Sequence, residues 1–244
     1  MTLKIGHRGA AGLEPENTLR SFMRALKLGV DAVELDVHTC RTGELVVIHD
    51  FKVNRTTNGK GFVAKKRIDE IKLLKIKVGR IKAGRTKKEK IPQLSEVFDA
   101  VNKKAIINIE LKGMNTASPV ARLIKQYLEK GWKPCHFLVS SFDHAQLNRF
   151  KRIMPKIRTG ALVDDKNTKH VLKSYPAFFK YMRSLNVYSI NPPFEFISAQ
   201  LVKDAHKAGF KVIVWTVNKK SDIKRMRSFG VDGIISDYPQ RLRC

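Results

Sequence analysis

Residues 33–37 read Val33-Glu34-Leu35-Asp36-Val37, a short run in which two carboxylates alternate with apolar side chains. In a β-strand, side chains two positions apart point to the same face, so the pattern predicts that Glu34 and Asp36 point the same way. Two anions held this close repel each other, and burying them is costly unless a partner neutralises their charge. Alternation alone also suits an edge strand whose polar side faces solvent, so the pentapeptide by itself leaves both interpretations open.

Two histidines lie on either side of this run in the sequence. His7 and His49 each come just after an apolar segment, residues 3–5 and 45–48, and both are therefore predicted at the carboxyl end of a strand. Carboxylate oxygens are ligands that Mg²⁺ and Ca²⁺ prefer, and a free imidazole has a pKa of about 6.5. Carboxylates beside two imidazoles predict metal-assisted acid–base chemistry on a phosphoryl group.

Strand-like and helix-like segments alternate along the rest of the chain. Strands are predicted at residues 3–6, 31–37, 105–111, 136–140, 157–163, 187–191, 211–217 and 233–236, with 45–48 as a hairpin extension above the sheet. Helices are predicted at residues 19–28, 68–74, 94–102, 120–130, 144–153, 169–185, 198–208 and 221–229. Eight strands alternating with helices predict an α/β fold of the TIM (β/α)8 barrel type. An open doubly wound sheet more often has a glycine-rich phosphate loop after its first strand, where this chain has His7-Arg8-Gly9.

The barrel prediction collects polar residues at one rim. The residues at or just beyond the carboxyl ends of predicted strands are His7, Glu34, Asp36, Glu110, Lys112, Ser141, Trp215, Asn218 and Asp237. In (β/α)8 barrels this rim carries the active site. Glu110 repeats the pattern of Glu34, because it is a carboxylate inside an apolar strand. Either Lys112 neutralises it, or it joins Glu34 and Asp36 as a third oxygen ligand.

Residues 51–90 break the regular alternation. This stretch carries 15 Lys and Arg against three acidic residues, and glycines at 59, 61, 79 and 84 punctuate it. We interpret it as a short basic insertion after strand 2, a small cap at the mouth of the site rather than a second domain. Residues 1–244 are accordingly predicted to form a single domain, which is a common size for an α/β barrel.

The composition excludes several other classes of protein. With 43% hydrophobic residues and no apolar run near the roughly 20 residues that span a bilayer, the sequence is typical of a globular protein without a transmembrane segment. The first residues lead directly into His7 without a signal peptide, so a cytoplasmic location is expected. The three cysteines are widely spaced and odd in number, which indicates reduced thiols rather than a disulfide framework.

The net charge of +26, from 48 basic and 22 acidic residues, is unusually high. Such a surplus attracts polyanions, including anionic lipid surfaces and phosphorylated metabolites. A proteome-wide bias toward lysine is the other interpretation. The basic insertion, residues 51–90, is the segment that would contact an anionic lipid surface or another polyanion, and no specific nucleic-acid binding is expected.

Ten short motifs occur in one order along the chain. They are His7-Arg8-Gly9, Pro15-Glu16-Asn17-Thr18, Glu34-Leu35-Asp36-Val37, Val47-Ile48-His49-Asp50, Arg55-Thr56-Thr57, Ile91-Pro92-Gln93-Leu94, Ile109-Glu110-Leu111-Lys112, Ser140-Ser141-Phe142, Val214-Trp215-Thr216-Val217-Asn218 and Gly233-Ile234-Ile235-Ser236-Asp237. In order and spacing, they resemble the glycerophosphodiester phosphodiesterase family over essentially the whole chain. The resemblance implies that Glu34, Asp36 and Glu110 bind one divalent cation, Mg²⁺ or Ca²⁺. It also implies that a glycerol hydroxyl of the substrate attacks the phosphorus, giving a transient cyclic phosphate that water opens.

The catalytic candidates are His7 and His49, which would divide the two proton transfers of phosphodiester hydrolysis between them. Which of the two acts first as the acid is left open by the sequence. Arg8 and Lys112 are the candidate phosphate contacts, Arg8 through its fork of donors and Lys112 as a point charge.

The remaining candidates concern the glycerol portion of the substrate. Glu16, together with Asn17, is expected to hold His7 or the glycerol hydroxyls, although Asn17 suits a helix cap nearly as well. Phe142 and Trp215 are candidates for an apolar wall under the glycerol carbons, with packing in the core as an equal alternative.

The leading hypothesis is metal-dependent hydrolysis of small-molecule glycerophosphodiesters, such as glycerophosphocholine or glycerophosphoethanolamine, to sn-glycerol 3-phosphate and an alcohol. A lysophospholipase D of the same family is the second hypothesis, but the insertion offers few aromatic residues for a long apolar groove. The third is a basic module that binds polyanions or membranes and carries a vestigial site. That module predicts the loss of a carboxylate or histidine from the candidate set, whereas every member is present.

Overall fold

The computed structural model describes residues 1–77, 89–164 and 175–243, apart from the side chain of Tyr175. Within these ranges the strands are β1 (Leu3–Gly6), β2 (Ala32–Thr39), β3 (Leu45–Val47), β4 (Ile106–Leu111), β5 (Phe137–Ser141), β6 (Arg158–Leu162), β7 (Ser189–Asn191), β8 (Lys211–Val214) and β9 (Gly233–Ser236). All except β3 are parallel, and β1 pairs with both β9 and β2, which closes the ring. The prediction of a TIM (β/α)8 barrel is therefore confirmed.

Helices surround the barrel. In the described residues they are α1 (Leu19–Lys27), α2 (Ile68–Leu73), α3 (Leu94–Val101), α4 (Ala117–Glu129), α5 (His144–Ile153), α6 (Tyr175–Ser184), α7 (Ala199–Lys207) and α8 (Lys220–Ser228). Side-chain oxygens of Thr18, Asp143 and Ser198 accept hydrogen bonds from first-turn amides and so start α1, α5 and α7. The predicted helix at 169–185 is described only from Tyr175 onward, since residues 165–174 lie outside the described ranges. Among the described helices, none is long and apolar enough to cross a lipid bilayer.

The alternation of side chains along two neighbouring strands sets the height of the site in the barrel. On β2, Ala32 belongs to a small apolar cluster inside the barrel, and Glu34 and Asp36 follow on the same face, each one step nearer the rim. On β4, Asn108 lies opposite Glu34, and Glu110 lies opposite Asp36. The barrel floor is therefore apolar and the layers above it are polar. Glu34 and Asp36 share one face, as the sequence of residues 33–37 predicts.

Two strands, β2 and β8, end two or more residues away from their predicted last residue. Strand β2 continues to Thr39, two residues further than predicted, because its last three residues pair antiparallel with β3. This pairing is the hairpin extension that the sequence predicts at 45–48. Strand β8 ends at Val214 instead of residue 217, and beyond it the backbone amide of Val217 donates to the carbonyl of Ile235 at 2.9 Å.

The basic insertion packs against the β2–β3 hairpin, as far as residues 51–77 and 89–90 are described. A second apolar cluster joins the two parts of the structure through Cys40, Val46, Ile48, Val53, Val63, Ile71 and Ile91. Residues 78–88, which include glycines 79 and 84 of the insertion, lie outside the described ranges. The single domain over 1–244 stays a prediction, and this shared cluster supports it.

Candidate active site

Three carboxylates from two neighbouring strands meet inside the rim of the barrel. Glu34 and Asp36 come from β2 and Glu110 from β4, and one oxygen of each lies within 4.8 Å of the others. All three side chains are buried, with Asp36 only 1% exposed. This grouping follows from the register, because Asp36 is paired directly with Glu110 across the two strands.

Burial and mutual repulsion make this cluster unfavourable without a cation. Loss of hydration raises the pKa of both Glu34 and Glu110, and the charge of Asp36 raises each of them further. Burial also acts to raise the pKa of Asp36, but neighbouring positive charges, Arg8 foremost, outweigh it and lower that pKa. A divalent cation among the three carboxylates would relieve both the repulsion and the lost hydration. The donor set, three hard oxygens close together, therefore fits Mg²⁺ or Ca²⁺.

Lys112 lies beside the same cluster. Its Nζ is 2.8 Å from Glu110 Oε1 and 3.8 Å from Asp36 Oδ1, and 5.5 Å from the centre of the Phe142 ring. Both readings of Glu110 from the sequence are thus present in the geometry, because it pairs with Lys112 and also faces the other two carboxylates. Arg8 is the second cation at the cluster, with its Nε 3.3 Å from Asp36 Oδ2, so two fixed cations face three carboxylates and the cluster stays short of positive charge.

His7 has one ring nitrogen held and the other turned toward the cluster. Its Nδ1 is 2.6 Å from Asp237 Oδ1, and Asn218 donates to the second oxygen of Asp237 at 2.7 Å. The other nitrogen, Nε2, lies 4.0 Å from Glu34 Oε2. Burial acts to lower the pKa of His7, but the hydrogen bond to Asp237 and the charge of Glu34 outweigh it and raise that pKa.

His49 is held in the same way by the residue that follows it. Its Nδ1 is 2.7 Å from Asp50 Oδ1, which leaves Nε2 for the pocket. Burial lowers the pKa of His49 below its ordinary value, even though the charge of Asp36 acts in the other direction. The two imidazoles therefore differ in proton affinity, with His7 above the ordinary value and His49 below it.

Arg55, from the basic insertion, links the two halves of the site. Its guanidinium contacts both oxygens of Glu16, at 2.7 Å each, and both oxygens of Asp50, at 2.7 and 2.9 Å. Glu16 in turn accepts a hydrogen bond from Arg8 Nη1 at 2.8 Å. These contacts connect Arg8 to His49 through Glu16, Arg55 and Asp50. The hydrogen bonds from Arg55 also lower the pKa of Asp50, so that the partner of His49 is ionised.

The structure gives His7 a different partner from the two that the sequence suggests. Asn17 donates from its side-chain amide to Asp36 Oδ2 at 2.8 Å, and Glu16 pairs with arginines. The N-cap of α1 is Thr18 and not Asn17. Asp237 is the residue that holds His7. The sequence places Asp237 among the polar residues of the rim, but it gives no sign that this carboxylate pairs with His7.

The aromatic candidates line the pocket that these groups surround. The pocket is lined by His7, Arg8, Glu34, His49, Asn108, Glu110, Lys112, Ser140, Phe142, Leu162, Trp215, Thr216 and Ile235. Phe142 and Trp215 meet edge to face with ring centres 5.5 Å apart, and the indole of Trp215 donates to the carbonyl of Asn191 at 2.7 Å. The two rings form one apolar wall of the pocket. Ser141, another rim candidate, uses its hydroxyl to bond the carbonyl of Leu111.

Replacing Asp237 with asparagine is expected to lower the pKa of His7, because the hydrogen bond to this carboxylate is the largest influence that raises it. A titration of the His7 ring signals by NMR measures the change directly. Asp232→Asn is the matched control, since Asp232 holds His206 at 2.7 Å just before β9, at the other end of the barrel. An unaltered His7 titration in the Asp237→Asn protein would contradict the assigned contact.

Carboxylate-held imidazoles and cationic side chains around one rim pocket are the groups expected of an enzyme that acts on a phosphorylated substrate. The chain belongs to the glycerophosphoryl diester phosphodiesterase family, whose model matches residues 7–241. It is therefore a phosphodiester hydrolase, and the hypothesis of a binding module with a vestigial site is set aside.

Individual relatives match the chain along nearly its whole length. A glycerophosphodiester phosphodiesterase from Caldanaerobacter subterraneus subsp. tengcongensis is 39% identical over 244 residues, which cover 99% of this chain and 96% of the relative. A human relative, named lysophospholipase D GDPD1, is 28% identical over 98% of this chain and 84% of its own length. The solved structure of an Oleispira antarctica phosphodiesterase, in complex with the product sn-glycerol-3-phosphate, is 30% identical with a TM-score of 0.86. That comparison covers 98% of this chain and 94% of the other.

Proposed function

We propose that this enzyme hydrolyses glycerophosphodiesters, such as glycerophosphocholine and glycerophosphoethanolamine, to sn-glycerol 3-phosphate and the free alcohol. The observation that carries the proposal is the pairing of two carboxylate-held histidines with a buried carboxylate cluster around one pocket. The product complex of the Oleispira antarctica phosphodiesterase supports the glycerol phosphate portion of the substrate.

Glu34, Asp36 and Glu110 are proposed to hold one divalent cation, Mg²⁺ or Ca²⁺. When bound, such an ion neutralises phosphate charge and polarises the phosphoryl oxygens. Lys112 and Arg8 are proposed to contact the same phosphate. Their positions beside the carboxylates support this role, with Lys112 Nζ 2.8 Å from Glu110 Oε1 and the Arg8 backbone amide 3.0 Å from Glu34 Oε2.

His7 and His49 are proposed to divide the proton transfers. The hydrogen bond to Asp237 favours the protonated form of His7, which suits it to give a proton to the oxygen of the leaving alcohol. Burial favours the neutral form of His49, which suits it to take a proton from the attacking glycerol hydroxyl. This attack forms a cyclic phosphate and releases the alcohol. Water then opens the ring with the two proton transfers reversed, yielding sn-glycerol 3-phosphate.

The other pocket residues are proposed to hold the substrate in position. Phe142 and Trp215 form the apolar wall against which the glycerol carbons would pack. Glu16 is proposed to act chiefly by holding Arg8, because both of its oxygens accept hydrogen bonds from arginine side chains. Contact between Glu16 and a glycerol hydroxyl stays a prediction.

Lysophospholipase D activity is the second candidate function. A cavity next to the pocket shares Phe142 with it and is otherwise lined in part by Val163, Phe178 and Met182, which offer apolar surface to an acyl chain. The similarity to a human relative that is named lysophospholipase D also supports this candidate. The leading proposal has the stronger support because the charged pocket itself needs only the glycerophosphodiester group.

A substrate panel separates the two candidates. Purified enzyme is incubated with glycerophosphocholine, glycerophosphoethanolamine or a lysophosphatidylcholine, each with Mg²⁺ and with Ca²⁺, and the released sn-glycerol 3-phosphate, choline and lysophosphatidic acid are quantified. We expect sn-glycerol 3-phosphate from the short diesters at a higher kcat/KM than any release from the lysolipid. Preferential cleavage of the lysolipid would favour the second candidate, and no cleavage of any member with either ion would contradict both.

A further inference from the structure

The first half of the basic insertion exposes aromatic rings beside lysines. Phe51 is 54% exposed and Phe62 is 44% exposed. Two ammonium groups lie over the Phe62 ring, with Lys52 Nζ 4.7 Å and Lys65 Nζ 5.7 Å from its centre. The backbones are also joined, because the amide of Val63 donates to the carbonyl of Phe51 at 2.9 Å. Phe51, Lys52, Phe62 and Lys65 thus form one surface, here termed the aromatic–lysine patch.

This patch borders the mouth of the catalytic pocket. Phe51 follows Asp50 in the chain, and its ring meets the edge of His38 with centres 5.0 Å apart. His38 Nε2 lies 3.1 Å from the carbonyl oxygen of His49. Next to His38 is the loop after β4, where Met114 is 80% exposed. The apolar side chains of the patch and of this loop therefore lie at the rim into which the pocket opens.

The charge around the patch is strongly positive. Residues 51–77 carry nine Lys and Arg against two acidic residues. Cationic side chains attract the phosphates of an anionic lipid surface, while neighbouring aromatic rings enter the interface between headgroups and acyl chains. Rings and ammonium groups that alternate on one exposed surface meet both requirements at once.

We propose that the aromatic–lysine patch docks the rim of the barrel onto an anionic lipid surface, so that the catalytic pocket faces the membrane. The proposal goes beyond hydrolysis and does not depend on which phosphodiester is cleaved. A nucleic acid is the less favoured partner, since single-stranded chains are bound through the open faces of aromatic rings. In this patch an ammonium group already covers a face of Phe62.

Cosedimentation with vesicles tests the proposal without measuring turnover. The whole protein is mixed with vesicles of equal parts phosphatidylcholine and phosphatidylglycerol, or of phosphatidylcholine alone, at low and at high salt. We expect binding to the anionic vesicles only. Phe51→Ser with Phe62→Ser should weaken that binding by about tenfold or more, because two apolar side chains no longer enter the interface. Lys52→Gln with Lys65→Gln should weaken it by about 25-fold at low salt and less at high salt.

Control variants with the same kinds of substitution lie at the opposite end of the barrel. Ile153 is 47% exposed at the end of α5, and Lys104 and Lys133 are exposed on the chain entering β4 and β5. Two control proteins are used, the single variant Ile153→Ser and the double variant Lys104→Gln with Lys133→Gln. Both should bind the anionic vesicles as the wild type does. Circular dichroism establishes that each variant is folded.

Three outcomes would overturn the docking proposal. They are equal loss of binding in the patch and control variants, no binding to anionic vesicles, and binding to a single-stranded RNA oligonucleotide that is weakened by the patch substitutions while vesicle binding is unchanged. A protein that binds vesicles through the patch but cleaves no phosphodiester would leave the docking proposal intact and contradict the proposed function alone.

Discussion

Replacing His49 with alanine is expected to lower kcat by about 100- to 10,000-fold, the range typical of a lost general acid or base. The imidazole of His49 lines the pocket, and Asp50 fixes its orientation through Nδ1, which leaves Nε2 for the substrate. The side chain is 29% exposed, so its removal leaves little unfilled core and the fold should persist. Steady-state kinetics on glycerophosphocholine, together with thermal unfolding, measures both effects.

The control for this variant is a histidine remote from the pocket. His136→Ala removes an imidazole that packs edge-on against Trp132 at the amino end of β5. Its kcat should equal that of the wild type. Turnover at the wild-type rate in the folded His49→Ala protein would refute the proton-transfer role of His49.

Replacing Glu110 with glutamine is expected to reduce activity by about 100-fold or more, because one of the three oxygen ligands loses its charge. The same change should stabilise the protein in chelator at neutral pH. Burial and the charge of Asp36 raise the pKa of Glu110, so its carboxyl favours the folded state below the ordinary pKa of 4.5. That contribution is lost as pH rises through the raised pKa.

The free energy of unfolding measures this effect. In chelator, the difference between Glu110→Gln and wild type should grow in favour of the variant as pH increases from below 4.5 through neutrality. Glu129→Gln, an exposed change at the end of α4, is the control and should follow the wild type. Parallel pH curves for Glu110→Gln and wild type, with full activity in the variant, would show that the carboxyl belongs to no charge cluster.

Most of the fold could be predicted because buried parallel strands leave a strong local pattern. Strand β4, for instance, reads as an apolar run interrupted only by Asn108 and Glu110, both of which face the inside of the barrel. The bounds of strands were less predictable where pairing decides them. Thr39 joins β2 only because β3 folds back on it, and this contact is not a property of residues 31–37 themselves.

The site was predictable to the extent that it depends on strand ends. The rule that barrel chemistry collects at the carboxyl ends of strands brought Glu34, Asp36 and Glu110 together, and the structure places their oxygens within 4.8 Å. The partners of the histidines follow no such rule. His7 and Asp237 are 230 positions apart and meet only because β9 closes the barrel against β1.

Arg55 shows the same limit. The sequence marks it as part of a motif, but its role depends on a contact with Glu16, 39 positions earlier, that forms across the mouth of the barrel. The orientation of its guanidinium between two carboxylates is a property of the folded insertion.

Calorimetric titration of Mg²⁺ and of Ca²⁺ into the metal-free enzyme tests most directly whether the three carboxylates form one cation site. The wild type should bind one ion per chain, and a Glu34→Gln with Glu110→Gln protein, still folded, should bind none at that site. A wild type that takes up neither ion, or a double variant that binds with unchanged affinity and stoichiometry, would contradict it.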